Sequence, residues 1–218
     1  MQTGRLIAVC GIDGCGKSTL AEALVRALNS DGVPAKVVRT LSSDSAFFEA
    51  YTRLLEHGSK VDLSVLSALL AFERVRNTVE WIEPALTDGV TCVCDRYLWT
   101  EQAYSSARGV ETAAGHWDQF CSIVPIPDLT ILVDVPGDLA MKRIHQRGGA
   151  IYEFQENRDL LNRVREEYLV LQAGGSWGCS MLIDGREPVE CCLSLALASV
   201  RALFPEEDWH APGIQELR

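Results

Sequence analysis

The chain predicts an α/β fold, a five-stranded parallel sheet with helices on both faces, and three observations lead there. Short apolar runs recur through the 218 residues, each followed by a stretch with helical periodicity. The runs are apolar throughout rather than alternating, as in strands covered on both faces of a parallel sheet. The first run also leads through a glycine-rich loop directly into a helix, and in such sheets ligands bind beyond the carboxyl ends of the strands. With 47% hydrophobic and 23% charged residues, the chain suits one domain over residues 1–218 that buries most of its apolar surface.

Taken in order, Leu6–Cys10 is the first strand, and Ser18 to about Asn29 is a helix that ends before the Asp31-Gly32 turn. Lys36–Arg39 follows as the second strand, then a helix from Ser45 to about Glu56 that Gly58 stops. Asp62 caps a long helix whose apolar positions Leu63, Leu66, Leu70, Val75, Val79 and Ile82 keep a near-helical period up to Pro84, which bends or ends it. Val90–Cys94 is the third strand, Thr100–Ala107 and Glu111–Ser122 are helices, and Leu129–Val133 is the fourth strand. Pro136 opens another helix at a position where its missing N–H is not needed. Arg147 to Asn157, with its Gly148-Gly149 pair, breaks the pattern and reads as a mobile lid. Arg158–Gln172 resumes as helix, Ser180–Ile183 is the fifth strand, Pro188–Ala202 the last helix, and residues 204–218 a surface tail.

The string Gly11-Ile12-Asp13-Gly14-Cys15-Gly16-Lys17-Ser18-Thr19 has the spacing of a phosphate-binding loop. Glycines at 11, 14 and 16 free consecutive backbone N–H groups to wrap a phosphate at a helix N-terminus, where the dipole favours anions. Lys17 is then expected to reach the β- and γ-phosphates of ATP, with the Ser18 hydroxyl on Mg²⁺. A net charge of −10 argues against a nucleic-acid partner, so the anionic ligand is a small nucleotide gripped locally. The start of the chain lacks a basic segment with a long apolar core, and no apolar run has the length of a membrane span, which points to the cytoplasm. Eight cysteines, most of them in apolar runs, read as buried free thiols. Cys15 lies inside the loop and is expected to make the site sensitive to oxidation.

Asp95 and Arg96 fall at the end of the third strand, on the same rim as the loop. An aspartate there can hold the water shell of a metal, and an arginine can grip a second phosphate bidentately. A strand-end salt bridge is the structural alternative. With Tyr97, Thr100, Ala103 and Tyr104, this string resembles the thymidylate kinase family of nucleoside-monophosphate kinases. The stretches from Pro127 to Gly148, Arg163 to Leu171 and Ile183 to Glu190 are similar to that family as well. The resemblance implies a phosphate-loop kinase architecture and transfer from ATP, with Mg²⁺, to dTMP or a related or modified pyrimidine nucleotide. It implies that Asp13 binds the sugar 3′-hydroxyl, that Arg96 binds the acceptor phosphate, and that Phe72 and Arg76 stack on and hydrogen-bond the pyrimidine. Their spacing agrees, since positions four apart share a helix face. The family takes a basic residue from the loop or from the lid; Gly14 and Cys15 exclude the loop here, which makes Arg143 and Arg147 the candidates, with Arg158 behind them. The family commonly forms homodimers.

The chain departs from the family after the second strand, where Arg39-Thr40-Leu41-Ser42-Ser43 replaces a Thr-Arg-Glu-Pro-Gly-Gly segment; Arg39 is the candidate to keep the arginine's role. Ile151-Tyr152 stands where the lid carries an Asp-Arg pair. Trp99 and Glu101 are bulky and charged for positions beside the acceptor, and burying Glu101 requires a donor to meet it. Two other functions stay open: a deoxynucleoside kinase, which needs a carboxylate base at the end of the second strand, and a nucleotide-binding regulatory protein that has lost turnover.

Overall fold

Leu6–Cys10 (β1), Ala35–Arg39 (β2), Thr91–Asp95 (β3), Leu129–Asp134 (β4) and Cys179–Asp184 (β5) form one all-parallel sheet in the order β2-β3-β1-β4-β5. The computed structural model describes residues 4–39, 49, 53, 63–109, 123–148, 157–175 and 177–204. The strands lie where apolar runs were expected, each within one or two residues of its predicted ends. β1 and β3, central in the sheet, are buried at every position, whereas the edge strands β2 and β5 are only partly covered. That gradient is what a sheet flanked by helices imposes, because only inner strands are screened on both sides by neighbours.

Around the sheet lie Lys17–Ser30 (α1), Leu63–Asn77 (α2), Glu83–Thr87 (α3), Leu98–Ala107 (α4), Gly137–Arg147 (α5), Arg158–Ala173 (α6) and Val189–Arg201 (α7). α1 packs on α7, and α4 packs on α6. Each helix buries one stripe: Leu20, Leu24 and Leu28 from α1, and Leu160, Leu161, Val164 and Tyr168 from α6. Such side chains each contribute roughly 1.5–3 kcal/mol on burial. Polar clips set the register of the layers. The Asp128 carboxylate accepts from the Leu6 amide at 2.8 Å and from Arg5 at 3.1 Å, tying the start of β1 to β4. Asp134, at the end of β4, takes Arg165 of α6 bidentately at 2.6 and 2.8 Å.

Pro84 does not end the long helix. The chain passes through a π-helical turn, Thr78–Ile82, and continues as α3 with Pro84 in its first turn. The wider turn lets the chain pass a proline whose ring and missing N–H an α-helix would not accept at mid-length. Cys10, Cys15, Cys92, Cys94 and Cys192 are buried free thiols as expected, while Cys191 is exposed. The predicted helices Ser45–Glu56 and Glu111–Ser122, most of the lid and all of the tail beyond Phe204 lie outside the described residues, apart from positions 49 and 53.

Candidate functional site

The loop after β1 takes its shape from three glycines with positive φ: 144° at Gly11, 79° at Gly14 and 100° at Gly16. A Cβ at Gly14 would run into the Ala140 carbonyl of α5, so the loop and that helix touch backbone to backbone. Gly16 caps α1 without any side-chain hydrogen bond, and no acidic residue occupies the first turn. The orphan N–H groups and the positive dipole end are therefore left for an anion. Lys17 is only 6% exposed and donates from Nζ to the Ile12 carbonyl and Asp13 Oδ1, both at 3.4 Å, which folds it back along the loop. Ser18 and Thr19 are exposed beside it.

β3 runs beside β1, with Asp95 opposite Val9 and Arg39 of β2 opposite Asp95, so the ends of three strands form one rim. Arg96 turns off that rim with φ 71°, its amide donating to the Val9 carbonyl at 3.0 Å. A non-glycine residue in this conformation costs roughly 1–3 kcal/mol and persists where its surroundings fix it. The turn aims the Arg96 guanidinium across the loop at Asp13, with which it forms an ion pair. Tyr104 of α4 donates to the other Asp13 oxygen at 2.9 Å, and its ring lies under the guanidinia of Arg96 and Arg108, 5.5 and 5.2 Å from the centroid. Burial works to raise the Asp13 carboxyl, but Arg96, Lys17 and the hydrogen bond from Tyr104 outweigh it and hold it well below the usual carboxylate range. Burial and the neighbouring Asp13 charge push the Tyr104 phenol up, so it is a donor at any working pH.

Lys17, Asp13, Arg96 and Tyr104 are thus brought together, and Asp95 stands next to them. Asp95 is 9% exposed and its Oδ1 is buried without a hydrogen-bond partner. A buried carboxylate oxygen of that kind needs a donor, and the water shell of a divalent cation held by the Ser18 hydroxyl would supply it. The donor set, a hydroxyl and a carboxylate beside a phosphate loop, fits Mg²⁺.

The other expected site residues lie as follows. Phe72 is 65% exposed, and the Arg76 guanidinium is held along α2 itself by Glu73 and Glu80; among the described residues neither touches the cluster around Asp13. Thr100 is buried and its hydroxyl accepts from Tyr168 at 2.9 Å, so it joins α4 to α6 rather than facing the rim. Arg143 is not a free cation at the lid: it donates to the Cys15 carbonyl at 3.2 Å and the Gly185 carbonyl at 2.9 Å, bracing the loop against the turn after β5. Arg147 is exposed at the end of α5, where the lid leaves the helix. Arg158 is exposed and pairs with Asp138 and Asp159. Arg39 pairs with Glu22 of α1. Cys15 is 1% exposed and burial raises its thiol, so it is poorly disposed to react with oxidants.

One residue at the rim was missed, the partner of Glu101. Arg74 of α2 and Glu101 of α4 form an ion pair in which the side chains are 3% and 4% exposed, and Arg74 also donates to the Arg96 carbonyl at 3.0 Å. The donor that buried Glu101 requires is therefore supplied by the protein. The arrangement as a whole offers two cationic sites for phosphate on one rim, an anionic group between them, and a place for a divalent cation.

A sequence model described as Thymidylate kinase matches residues 9–194. A probable thymidylate kinase of Metallosphaera sedula is 32% identical over 200 residues, covering 92% of this chain and 94% of the relative. A thymidylate kinase of Methylococcus capsulatus is 37% identical over 94% of this chain and 98% of the relative. A probable thymidylate kinase of Pyrococcus horikoshii is 33% identical over 77% and 82%.

Proposed function

The chain belongs to the thymidylate kinase family, and we propose that it transfers the γ-phosphoryl group of ATP to dTMP, giving dTDP, with Mg²⁺. The observation that carries this reading is the Arg96 guanidinium, turned by its φ of 71° toward the loop that begins at Gly11. Lys17 and Arg96 both meet Asp13 Oδ1, so two cations stand together beside the loop. An acceptor phosphate oxygen is already nucleophilic near neutral pH, so alignment and charge cancellation suffice and no general base is needed.

In this reading the loop amides and Lys17 hold the donor phosphates, and Arg96 exchanges its bond with Asp13 for the acceptor phosphate. Asp13, ionised and anchored by Tyr104, accepts from a sugar hydroxyl. Ser18 and Asp95 would hold Mg²⁺, which would offset the negative charge of the donor phosphates. Arg147, at the point where the lid begins, supplies the remaining cation, while Arg143 keeps the loop in place. The rival deoxynucleoside kinase needs a carboxylate base at the end of β2, and among the described residues that strand ends in Arg39. ATP consumption measured across nucleosides and nucleoside monophosphates, with product masses, tests the reading. Fast conversion of dTMP to dTDP is expected; activity on another acceptor alone, or none, would overturn it.

The same reading includes a cytoplasmic homodimer. Val65, Phe72 and Val79, seven residues apart, are all at least half exposed and form an apolar stripe on the outer face of α2 and the turn that follows. Phe72→Glu is expected to shift the mass measured by light scattering from dimer to monomer.

A further inference from the structure

The phosphate loop and the Asp95-Arg96 turn lie where the strands end; where the strands begin, a second group of side chains is left partly unused. Arg5, just before β1, donates from Nη1 to Asp128 at 3.1 Å. Its Nε is buried and has no hydrogen-bond partner. A buried cationic N–H left that way is costly, and negative charge placed close by offsets the cost. The Arg5 guanidinium stands 5.8 Å from the ring centroid of Phe204, three residues beyond α7. On the other side of Asp128, in the segment that leads into β4, Ile123 and Ile126 are 56% and 54% exposed. Ile126 also borders the turn before β5: a Cβ on Gly178 would lie 3.2 Å from its Cγ2, and Trp177 beside that glycine is only partly buried.

Residues 205–218 continue from Phe204, and their sequence matches this face in order. Glu206, Glu207 and Asp208 come first, then Trp209, with Ile214 and Leu217 beyond. We propose that this segment folds back under the sheet, setting its acidic run against Arg5 and laying Trp209 over Ile126 and Ile123. Reach is not limiting. Five extended residues span up to about 17 Å, whereas Arg5 and Asp128 touch and Ile126 precedes Asp128 by two residues. The tether at Phe204 favours this occupant over a second copy or a separate protein, because a short linker holds the segment at an effective concentration of about millimolar. So placed, the segment ties the end of α7 to the segment before β4 and the turn before β5. It acts as a clasp on the strand starts, remote from the nucleotide.

The test compares the full chain with a chain that stops after Phe204 and with full-length Trp209→Ala, by hydrogen exchange with mass spectrometry and by thermal midpoint. Residues 123–126 and 177–179 are expected to exchange about tenfold more slowly in the full chain than in the shortened one. The midpoint is expected to lie about 4 °C or more higher, the scale of one buried aromatic side chain. Trp209→Ala reproduces most of both losses. Glu206→Gln/Glu207→Gln/Asp208→Asn lowers the midpoint at low salt and matches the wild type at about 1 M salt, where exposed charges are screened. Affinity for a fluorescent ATP analogue is the same in all four chains. Equal exchange and equal midpoints with and without residues 205–218 overturn the proposal. So does protection of residues 123–126 that survives the shortening and fades on dilution, which would make a second copy the occupant. Loss of affinity for the ATP analogue on shortening overturns it as well, by placing the segment at the phosphate loop.

Discussion

Three cations at the site have separable jobs, and single substitutions tell them apart. In the proposed reading Lys17 meets the transferring group, so Lys17→Ala is expected to lower single-turnover transfer by about 10³-fold or more, the scale of a lost transition-state cation. Arg96→Ala is expected to raise the KM for dTMP by about 10- to 100-fold with ATP affinity unchanged, since charge-assisted hydrogen bonds contribute about 1.5–3 kcal/mol. Arg143 spends its donors on the Cys15 and Gly185 carbonyls. Arg143→Ala should therefore weaken ATP by about tenfold, as the loop loses its brace, and leave the KM for dTMP alone. A fall in kcat with ATP affinity intact would return Arg143 to the role that its position before the lid first suggested. Arg74 escaped the sequence for a geometric reason. Leu70 and Arg74 have the same spacing in α2 as Phe72 and Arg76, but the two pairs lie about 200° apart around the helix. Spacing gives a shared face and not its direction; only packing against α4 shows that Arg74 is the inward one.

At the scale of elements, the strands were legible because burial on both faces demands unbroken apolar runs, and the loop because its chemistry demands glycine at fixed positions. The order of strands was not, since it depends on which helices cross which face. The π turn at Thr78–Ile82 left no mark beyond Pro84 itself. The pairing of β1 with both β3 and β4 places the loop, the Asp95-Arg96 rim and α5 around one point. The loop's contact with α5 is tight enough to be tested by one methyl group. Gly14→Ala is expected to push α5 away from the loop and to lower ATP affinity more than Gly16→Ala, because a Cβ at Gly16 meets nothing within 4 Å. Both substitutions carry the strain of positive φ, so the difference between them isolates the contact.

For the molecule as a whole, burial decides its thiol chemistry, and the partners of Asp13 shape its response to acid. Burial pushes Cys10 up to about 12 and Cys92 to about 11, and raises Cys15 and Cys94 as well. Iodoacetamide at pH 8 is therefore expected to label the exposed Cys179 and Cys191 first, with Cys10, Cys15, Cys92 and Cys94 labelled only on unfolding, as peptide masses would show. Asp13 is depressed below the ordinary carboxyl value of about 3.9. Its contribution to stability is therefore complete above that value and fades as pH falls toward its native one. Urea midpoints of the wild type and Asp13→Asn are expected to converge below about pH 4; a constant gap would mean that Asp13 is not held ionised by its partners.

The backbone contact between Gly14 and Ala140 also bears on descent. A member of this family can take its extra cation from the loop or from the lid, but a lineage that seats α5 against Gly14 has closed the first route to itself. No single codon change can install an arginine at that position until the helix has shifted, and shifting the helix alters the span between Arg143 and the loop at the same time. In the proposed reading, where the lid supplies the cation, that choice is inherited as a packing arrangement of α5 on Gly14.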